Sequence, residues 1–368
     1  MLERLYIHNY KGFVNFELAC GQFVFLMGRN GSGKSSVLEV LQALSIVITE
    51  GSLEDNFTPD TRCRFAEYPR QEIQIEVRRG EKLFRYRLEI ELRGAGEQPV
   101  LFREELLVDG SRLYLFTDGK VVLYSDSGEE KASFPFDGRA GGLAIVDKTP
   151  GDRQLLEFKT WARHFLLLKL IPSNVNPESR ARGEVLDVDG ANFSAWFETE
   201  AHADTEKLVD YSKEMTQVLP GFRSINWRPL SKKANLVEVD FQANGTKRSF
   251  QLDELSEGEL SLLIHYAVLH FGMEWQPTIG FDEPDNYLAL AEIEPLLYAI
   301  EEAAINHKAQ VFLISHHPEI FDRWARDSAR SRYMFKTEDG MFRSRTIEWG
   351  DYPGLSPSEI VARGWQDA

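Results

Sequence analysis

The sequence predicts an α/β fold, and three observations carry that prediction. Residues 2–124 hold a series of short β-forming runs separated by turns, and residues 256–314 alternate helical patterns with apolar runs. Between the first strands lies a glycine-rich turn that opens directly onto a helical pattern, Gly28-Arg29-Asn30-Gly31-Ser32-Gly33-Lys34-Ser35. The apolar run Gln22–Met27 before it reads as a buried strand. After it, Val37, Leu38, Leu41, Leu44 and Ile48 fall at helical spacing.

Strand, turn and helix together make this spacing a phosphate cradle. The glycines let backbone N–H groups curl around phosphate oxygens, and the helix dipole adds partial positive charge there. Asn30, Gly31, Gly33, Lys34, Ser35 and Ser36 are the expected contacts, with Lys34 reaching the β/γ-phosphates and the Ser35 hydroxyl ligating Mg²⁺. The implied ligand is a nucleoside triphosphate.

The remaining elements follow in order. Leu5–Tyr10, Val14–Leu18 and Phe23–Met27 read as the opening strands. Glu72–Val77, Phe84–Leu92, Glu104–Val108, Arg112–Phe116 and Val121–Tyr124, with turns at Asp109-Gly110 and Asp118-Gly119, predict an antiparallel meander. From about residue 151 to 220 the pattern turns helical, with an amphipathic helix over Gln154–Leu170 and one or two helices over Asn192–Leu219. Strands return at Val237–Phe241 and Arg248–Leu252.

Ser256 opens the next helix, and Glu259 three residues on completes a capping box. Leu260, Leu263, Ile264, Ala267, Val268 and Phe271 supply its buried face. Capping leaves Gly258 unexplained, because glycine inside a helix costs about 1 kcal/mol relative to alanine. A close approach of its backbone to a ligand explains it. A strand at Thr278–Phe281 then ends in Asp282-Glu283-Pro284, two carboxylates at the C-terminal edge of a sheet. Asp282 is placed to hold the Mg²⁺ shell and Glu283 to polarise an attacking water. A helix near Ala291–Ile305 and a strand at Gln310–Ile314 lead to Ser315-His316-His317-Pro318. The tail from Tyr352 to Ala368, with Trp365, reads as a packed terminal helix.

Composition narrows the class. The 368 residues are 43% hydrophobic and 12% aromatic, enough for a sizeable core. No apolar run approaches the roughly 20 residues that span a bilayer. The start, Met1 to Ile7, is strand-like rather than a signal peptide, and two cysteines, Cys20 and Cys63, fit a reducing compartment, so a cytoplasmic location is expected. A net charge of −16 argues against a surface that coats nucleic acid. The clusters Arg62, Arg64 and Arg70, then Arg78, Arg79, Lys82, Arg85 and Arg87, then Arg323, Arg326, Arg330 and Arg332 read as solvated faces. No fixed-period repeat and no sustained heptad pattern precede residue 255, which argues against coiled-coil arms.

Four motifs stand in the order found in ABC-type ATPases: Gly28–Ser35, Leu255-Ser-Glu-Gly-Glu259, Thr278–Pro284 and Val311–Pro318. The chain resembles compact members of the RecF/SMC group. That resemblance implies a P-loop ABC ATPase head with a β-rich first lobe and a helical insertion. It would be one domain over 1–368, with lobe I at 1–150, the insertion at 151–235 and lobe II at 236–368. It implies Lys34, Glu283 and His316 as catalytic residues, with His316 sensing the γ-phosphate. Lys11, in Asn9-Tyr-Lys-Gly-Phe13, matches a basic position that approaches the nucleotide. Ser256 and Gly258 would face ATP and Mg²⁺ held by a second chain, giving an ATP-sandwich homodimer or a higher oligomer.

Two departures stand out. Leu288-Ala289-Leu290 replaces the family's Leu-Asp or Leu-His, and no glutamine is obvious for the Q-loop, Gln71 and Gln74 being candidates. The implied role is a switch controlling a separate effector protein, similar to sensor subunits of anti-phage and toxin–antitoxin systems. A DNA-binding, RecF-like repair ATPase is the alternative. A transporter subunit suits the β-rich first lobe less well, so no membrane partner is expected.

Overall fold

The computed structural model describes all residues except 66, 94–95, 97, 126–127, 149–152, 181–182, 184, 274–276, 326, 328, 348–353 and 364–368. The chain divides into two units, Met1–Phe165 with Trp324–Ala368, and Leu166–Arg323.

The first unit begins with β1 (Leu2–His8), β2 (Phe16–Ala19), β3 (Phe23–Gly28) and α1 (Lys34–Thr49). The expected meander follows as β4 (Arg70–Arg79), β5 (Lys82–Arg93), β6 (Gln98–Val108), β7 (Ser111–Thr117) and β8 (Lys120–Tyr124). A further strand, β9 (Glu130–Pro135), has no fully buried residue, its alternation being limited to the half-buried Ala132 and Phe134. With β1 and β2 these form one antiparallel sheet in the order β2-β1-β4-β5-β6-β7-β8-β9. Asp109 and Asp118 both adopt positive φ (50°) ahead of a glycine in its own positive-φ conformation, which is the signature of the tight hairpin turn that matches strand twist.

Alternation, regular along most of β4 and the first half of β5, gives this sheet two chemical faces. Ile73, Ile75 and Val77 of β4 and Phe84, Tyr86, Leu88 and Ile90 of β5 are buried. Against them packs α2 (Arg153–Arg163), whose Phe158 ring lies 5.7 Å from Phe84 and 5.5 Å from Tyr86. On the other face, charges pair across strands: Arg87 with Glu72 at 2.8 Å, Arg85 with Glu76 at 3.4 Å and Arg112 with Glu105 at 2.6 Å. The arginines of residues 78–87 are thus largely matched by carboxylates, as a solvated face requires.

Two buried charges fix the segment that leaves the sheet. The wholly buried Glu104 of β6 accepts hydrogen bonds from the Tyr86 (2.7 Å) and Tyr114 (2.8 Å) hydroxyls and the Gly142 (2.8 Å) and Leu143 (3.1 Å) N–H groups. Burial pushes its carboxyl up from the ordinary value, against the pull of those donors. The buried Lys159 of α2 donates to the Leu143 and Ala144 carbonyls, each at 3.1 Å. Gly141 N–H donates to the Gly51 carbonyl, just past the end of α1, at 2.9 Å.

The amphipathic helix expected to reach Leu170 stops at Arg163. His164 N–H closes it on the Thr160 and Trp161 carbonyls, and the continuous apolar run Phe165–Leu168 becomes β10 instead. The second unit continues with β11 (Glu178–Ser179), α3 (Phe193–Ala203), α4 (Thr205–Val218), β12 (Phe222–Ser231), β13 (Ala234–Ala243) and β14 (Thr246–Gln251). Residues 151–235 therefore hold strands as well as helices. The helix pair expected over 192–219 breaks at Asp204, whose carboxylate accepts the Lys207 N–H and caps α4. β11, β13 and β12 form an antiparallel sheet, with β14 also on β13.

Next come α5 (Glu257–Phe271), β15 (Thr278–Asp282), α6 (Leu290–His307), β16 (Gln310–Ile314) and α7 (Pro318–Trp324). Within this unit β15 runs parallel to β16, with Asp282 opposite Ile314, and both strands are buried throughout. Such continuous apolar runs are what a parallel strand covered on both faces demands. The first unit is completed by β17 (Ser331–Lys336), parallel to β3, then β18 (Phe342–Arg345), antiparallel to β17, and α8 (Pro357–Ala362). Ile360 of α8 is buried; Trp365 and Arg326 lie outside the described residues. No described helix is long and apolar enough to cross a membrane, and neither Cys20 nor Cys63 forms a disulfide.

Candidate functional site

The fully buried β3 drives the chain into the phosphate loop. Gly28 (φ 141°), Gly31 (76°) and Gly33 (94°) all take conformations that side chains resist. A methyl group at Gly28 would stand 2.1 Å from the Met334 carbonyl oxygen of β17, so this turn is closed by backbone alone. Gly33 is the N-cap of α1 and no side chain caps that end. The Lys34 ammonium folds back onto the Gly28 and Arg29 carbonyls at 2.9 and 3.1 Å. Arg29, Asn30 and Gly31 are exposed, while Ser35 and Ser36 are half-buried. The Ser32 hydroxyl is buried without a hydrogen-bond partner. An uncapped helix N-terminus, a lysine curled on the loop and an orphaned hydroxyl fit a triphosphate.

Lys11 lies in the turn between β1 and β2, with φ 50°. Its ammonium pairs with Glu39 of α1 rather than standing as a free solvated charge. Its N–H donates to the Thr61 carbonyl, which also accepts from the Gln71 side chain. Gln71 is buried with its Oε1 unpartnered, whereas Gln74 donates to Glu72 on the outer face. Of the two glutamines, Gln71 is the one with a buried, unpartnered side-chain oxygen.

The second unit assembles the carboxylates. Asp282 ends β15 almost buried, and Lys169 brings its ammonium to 3.6 Å. Glu283 adopts φ 56°, a left-handed conformation costly for a residue with a side chain. Its N–H is held by the Ile314 carbonyl at 2.8 Å, and Asn286 donates to its Oε2 at 2.9 Å. The exposed His316 stands 3.6 Å from Glu283 Oε1, bringing together the two residues expected to handle the γ-phosphate and the water. His317 accepts the Glu319 N–H and so serves the start of α7. Behind Glu283, burial pushes the Asp285 carboxyl up from its ordinary value, and Asp285 Oδ1 is buried without a partner. Sequence reasoning missed Lys169, which is remote in sequence; Asp285 and Asn286 lie in the stretch matched to the family's loop that crosses to a partner subunit, and their contacts around Glu283 appear only in the structure.

The capping box at the start of α5 is present. Ser256 Oγ accepts the Glu259 N–H at 3.3 Å, and Glu259 accepts from Ser256 N–H at 3.0 Å. α5 is buried over Leu260–Leu269, yet Ser256 and Glu257 at its N-terminus are exposed. The need for glycine at 258 has a cause inside the chain. A methyl group there would stand 2.8 Å from the carbonyl oxygen of Tyr287, itself at φ 74°. The close approach expected on ligand grounds is, in this structure, an approach to the loop after Glu283.

Comparison with known proteins gives two family matches. Residues 12–89 match the family described as "ABC transporter", and residues 152–322 match "AAA domain, putative AbiEii toxin, Type IV TA system". Among solved structures, an Smc head domain with a coiled coil and joint derived from Pyrococcus yayanosii is 12% identical with a TM-score of 0.51, over 99% of each chain. The SMC head domain from Thermotoga maritima is 14% identical with a TM-score of 0.45, over 94% of this chain and 99% of that one. At such identity the first likeness is one of fold. No curated protein matches the chain.

Proposed function

We propose that this chain, an ATP-hydrolysing ABC-type ATPase of the RecF/SMC group, works as a nucleotide-gated switch in which ATP joins two copies and the joined state controls a separate effector protein. One observation carries the reading: α5 is buried along its length but leaves its N-terminus, with Ser256, on the surface. The capping box already holds N–H groups at this end and Glu257 and Glu259 add negative charge, so what it offers an anion is the helix dipole and the Ser256 hydroxyl. A γ-phosphate held on the phosphate loop of a second copy is that anion.

In this reading Asn30, Gly31, Gly33, Lys34, Ser35 and Ser36 hold the phosphates and Lys11 and Gln71 attend them. Ser35 and Asp282 hold Mg²⁺, which supplies positive charge to the phosphate oxygens. Lys169 balances the Asp282 carboxylate. Glu283 accepts the proton of the attacking water, and His316 links that carboxylate to the γ-phosphate. Hydrolysis then removes the charge that α5 was holding, and the copies separate. The toxin–antitoxin term in the family matched by residues 152–322 supports an effector in anti-phage defence or a toxin–antitoxin-like system. The paired charges on the outer face of the meander weigh against direct DNA binding there. The unpaired cysteines suit a cytoplasmic setting.

The test is Glu283→Gln with ATP and Mg²⁺ in multi-angle light scattering. A dimer that persists with ATP and dissociates when ATP is removed is expected. A variant that stays monomeric while binding ATP would refute the sandwich.

A further inference from the structure

The ring of Phe342, at the start of β18, lies directly over the phosphate loop. A methyl group placed on Gly33 would come within 2.5 Å of it, and one on Gly12 within 2.7 Å. Two glycines from different parts of the first unit thus leave the room that the ring fills. The ring is held from behind as well. Phe342 N–H donates to the Gly12 carbonyl at 2.7 Å, and Phe13 meets the ring edge-on at 5.0 Å and 76°. Yet Phe342, beside Gly33 at the N-terminus of α1, is only half-buried.

An apolar ring that served packing alone gains nothing from staying half in water next to the residue preceding Lys34. A nucleotide whose phosphates lie on the loop carries its ribose and base away from Gly33, toward the surrounding surface. We infer that Phe342 forms the base subsite, its ring stacking on the nucleobase of the bound triphosphate. The inference rests on the triphosphate reading of the loop and adds the residue that distinguishes a nucleotide from bare phosphate. No hydrogen-bonding group is part of it, so stacking there is tolerant of which base is present.

The experiment compares ATP, GTP and inorganic tripolyphosphate, each with Mg²⁺, by isothermal titration of the full chain and of Phe342→Ala and Phe342→Trp. Base–aromatic stacking is worth about 1–3 kcal/mol, so Phe342→Ala is expected to weaken ATP and GTP by about 5- to 150-fold. Tripolyphosphate binding should stay within about twofold, since the cradle itself is untouched. Phe342→Trp should retain ATP affinity, and its fluorescence should change with ATP but not with tripolyphosphate. Equal affinities of Phe342→Ala and wild type for ATP would overturn the subsite, as would an equal loss of ATP and tripolyphosphate, which would make the ring a prop for the loop. Wild type that bound none of the three ligands would overturn the triphosphate reading, and the subsite with it.

Discussion

Gly258→Ala isolates the contact between the start of α5 and the loop after Glu283. The new methyl group would lie 2.8 Å from the Tyr287 carbonyl oxygen, where ordinary contact begins at 3.4 Å. Neither partner is a flexible side-chain end, so backbone must move. Overpacking of this kind costs about 1–3 kcal/mol. Alanine meanwhile gains up to about 1 kcal/mol of helix propensity over glycine, and less than that at the second residue of a helix. The net loss of stability is therefore about 0–3 kcal/mol. For a unit of this size that lowers the melting midpoint by about 0–12 °C. The functional effect should be larger, because the displaced elements carry Ser256 and Glu283. ATP turnover is expected to fall at least about tenfold, the size of a lost catalytic alignment, while ATP still binds the phosphate loop. The assays are scanning calorimetry, phosphate release and ATP titration on the same preparation. Turnover at the wild-type rate would refute the coupling, and so would loss of ATP binding in step with turnover.

Two further predictions test the core and its response to acid. Glu104→Leu strands two tyrosine hydroxyls and two backbone N–H groups in a dry site; at about 1–3 kcal/mol for each unsatisfied donor the loss rivals the whole stability of a domain, so no soluble folded protein is expected. Glu104→Gln, which keeps most acceptors, should fold with a lowered urea midpoint, and a folded Glu104→Leu protein would contradict this account. His265 of α5 is buried, and burial lowers its pKa from 6.5 to about 4. Between those values the unfolded chain binds a proton that the folded chain refuses, so its contribution is full above pH 6.5 and falls as the pH drops toward 4, by up to about 3 kcal/mol. The urea midpoint of wild type should therefore drop between pH 7.5 and 4.5 by more than that of His265→Gln, and parallel curves would refute it.

The features legible in the sequence are those written in local pattern. The phosphate loop, the capping box at Ser256, the Asp282-Glu283 strand end and β16 each depend on residues a few positions apart. The meander strands were visible because alternation and Asp-Gly turns are local too. What escaped depends on residues that meet only after folding. Glu104 sits in Arg103-Glu104-Glu105 and reads as a solvated charge until Tyr86, Tyr114 and the 142–143 backbone surround it. Gly258 points to a close neighbour by its position in a first helical turn, but the Tyr287 carbonyl that fills that place is far from it in sequence. Phe165–Leu168 was read on the helix because its neighbours are amphipathic, and four apolar residues in a row suit a buried strand better.

The segment 141–144 is tied at three points, to the residue just past α1, to β6 through Glu104 and to α2 through Lys159. α1 runs from Lys34 to Thr49, so the helix that begins at the phosphate cradle ends against a segment anchored to the middle of the meander.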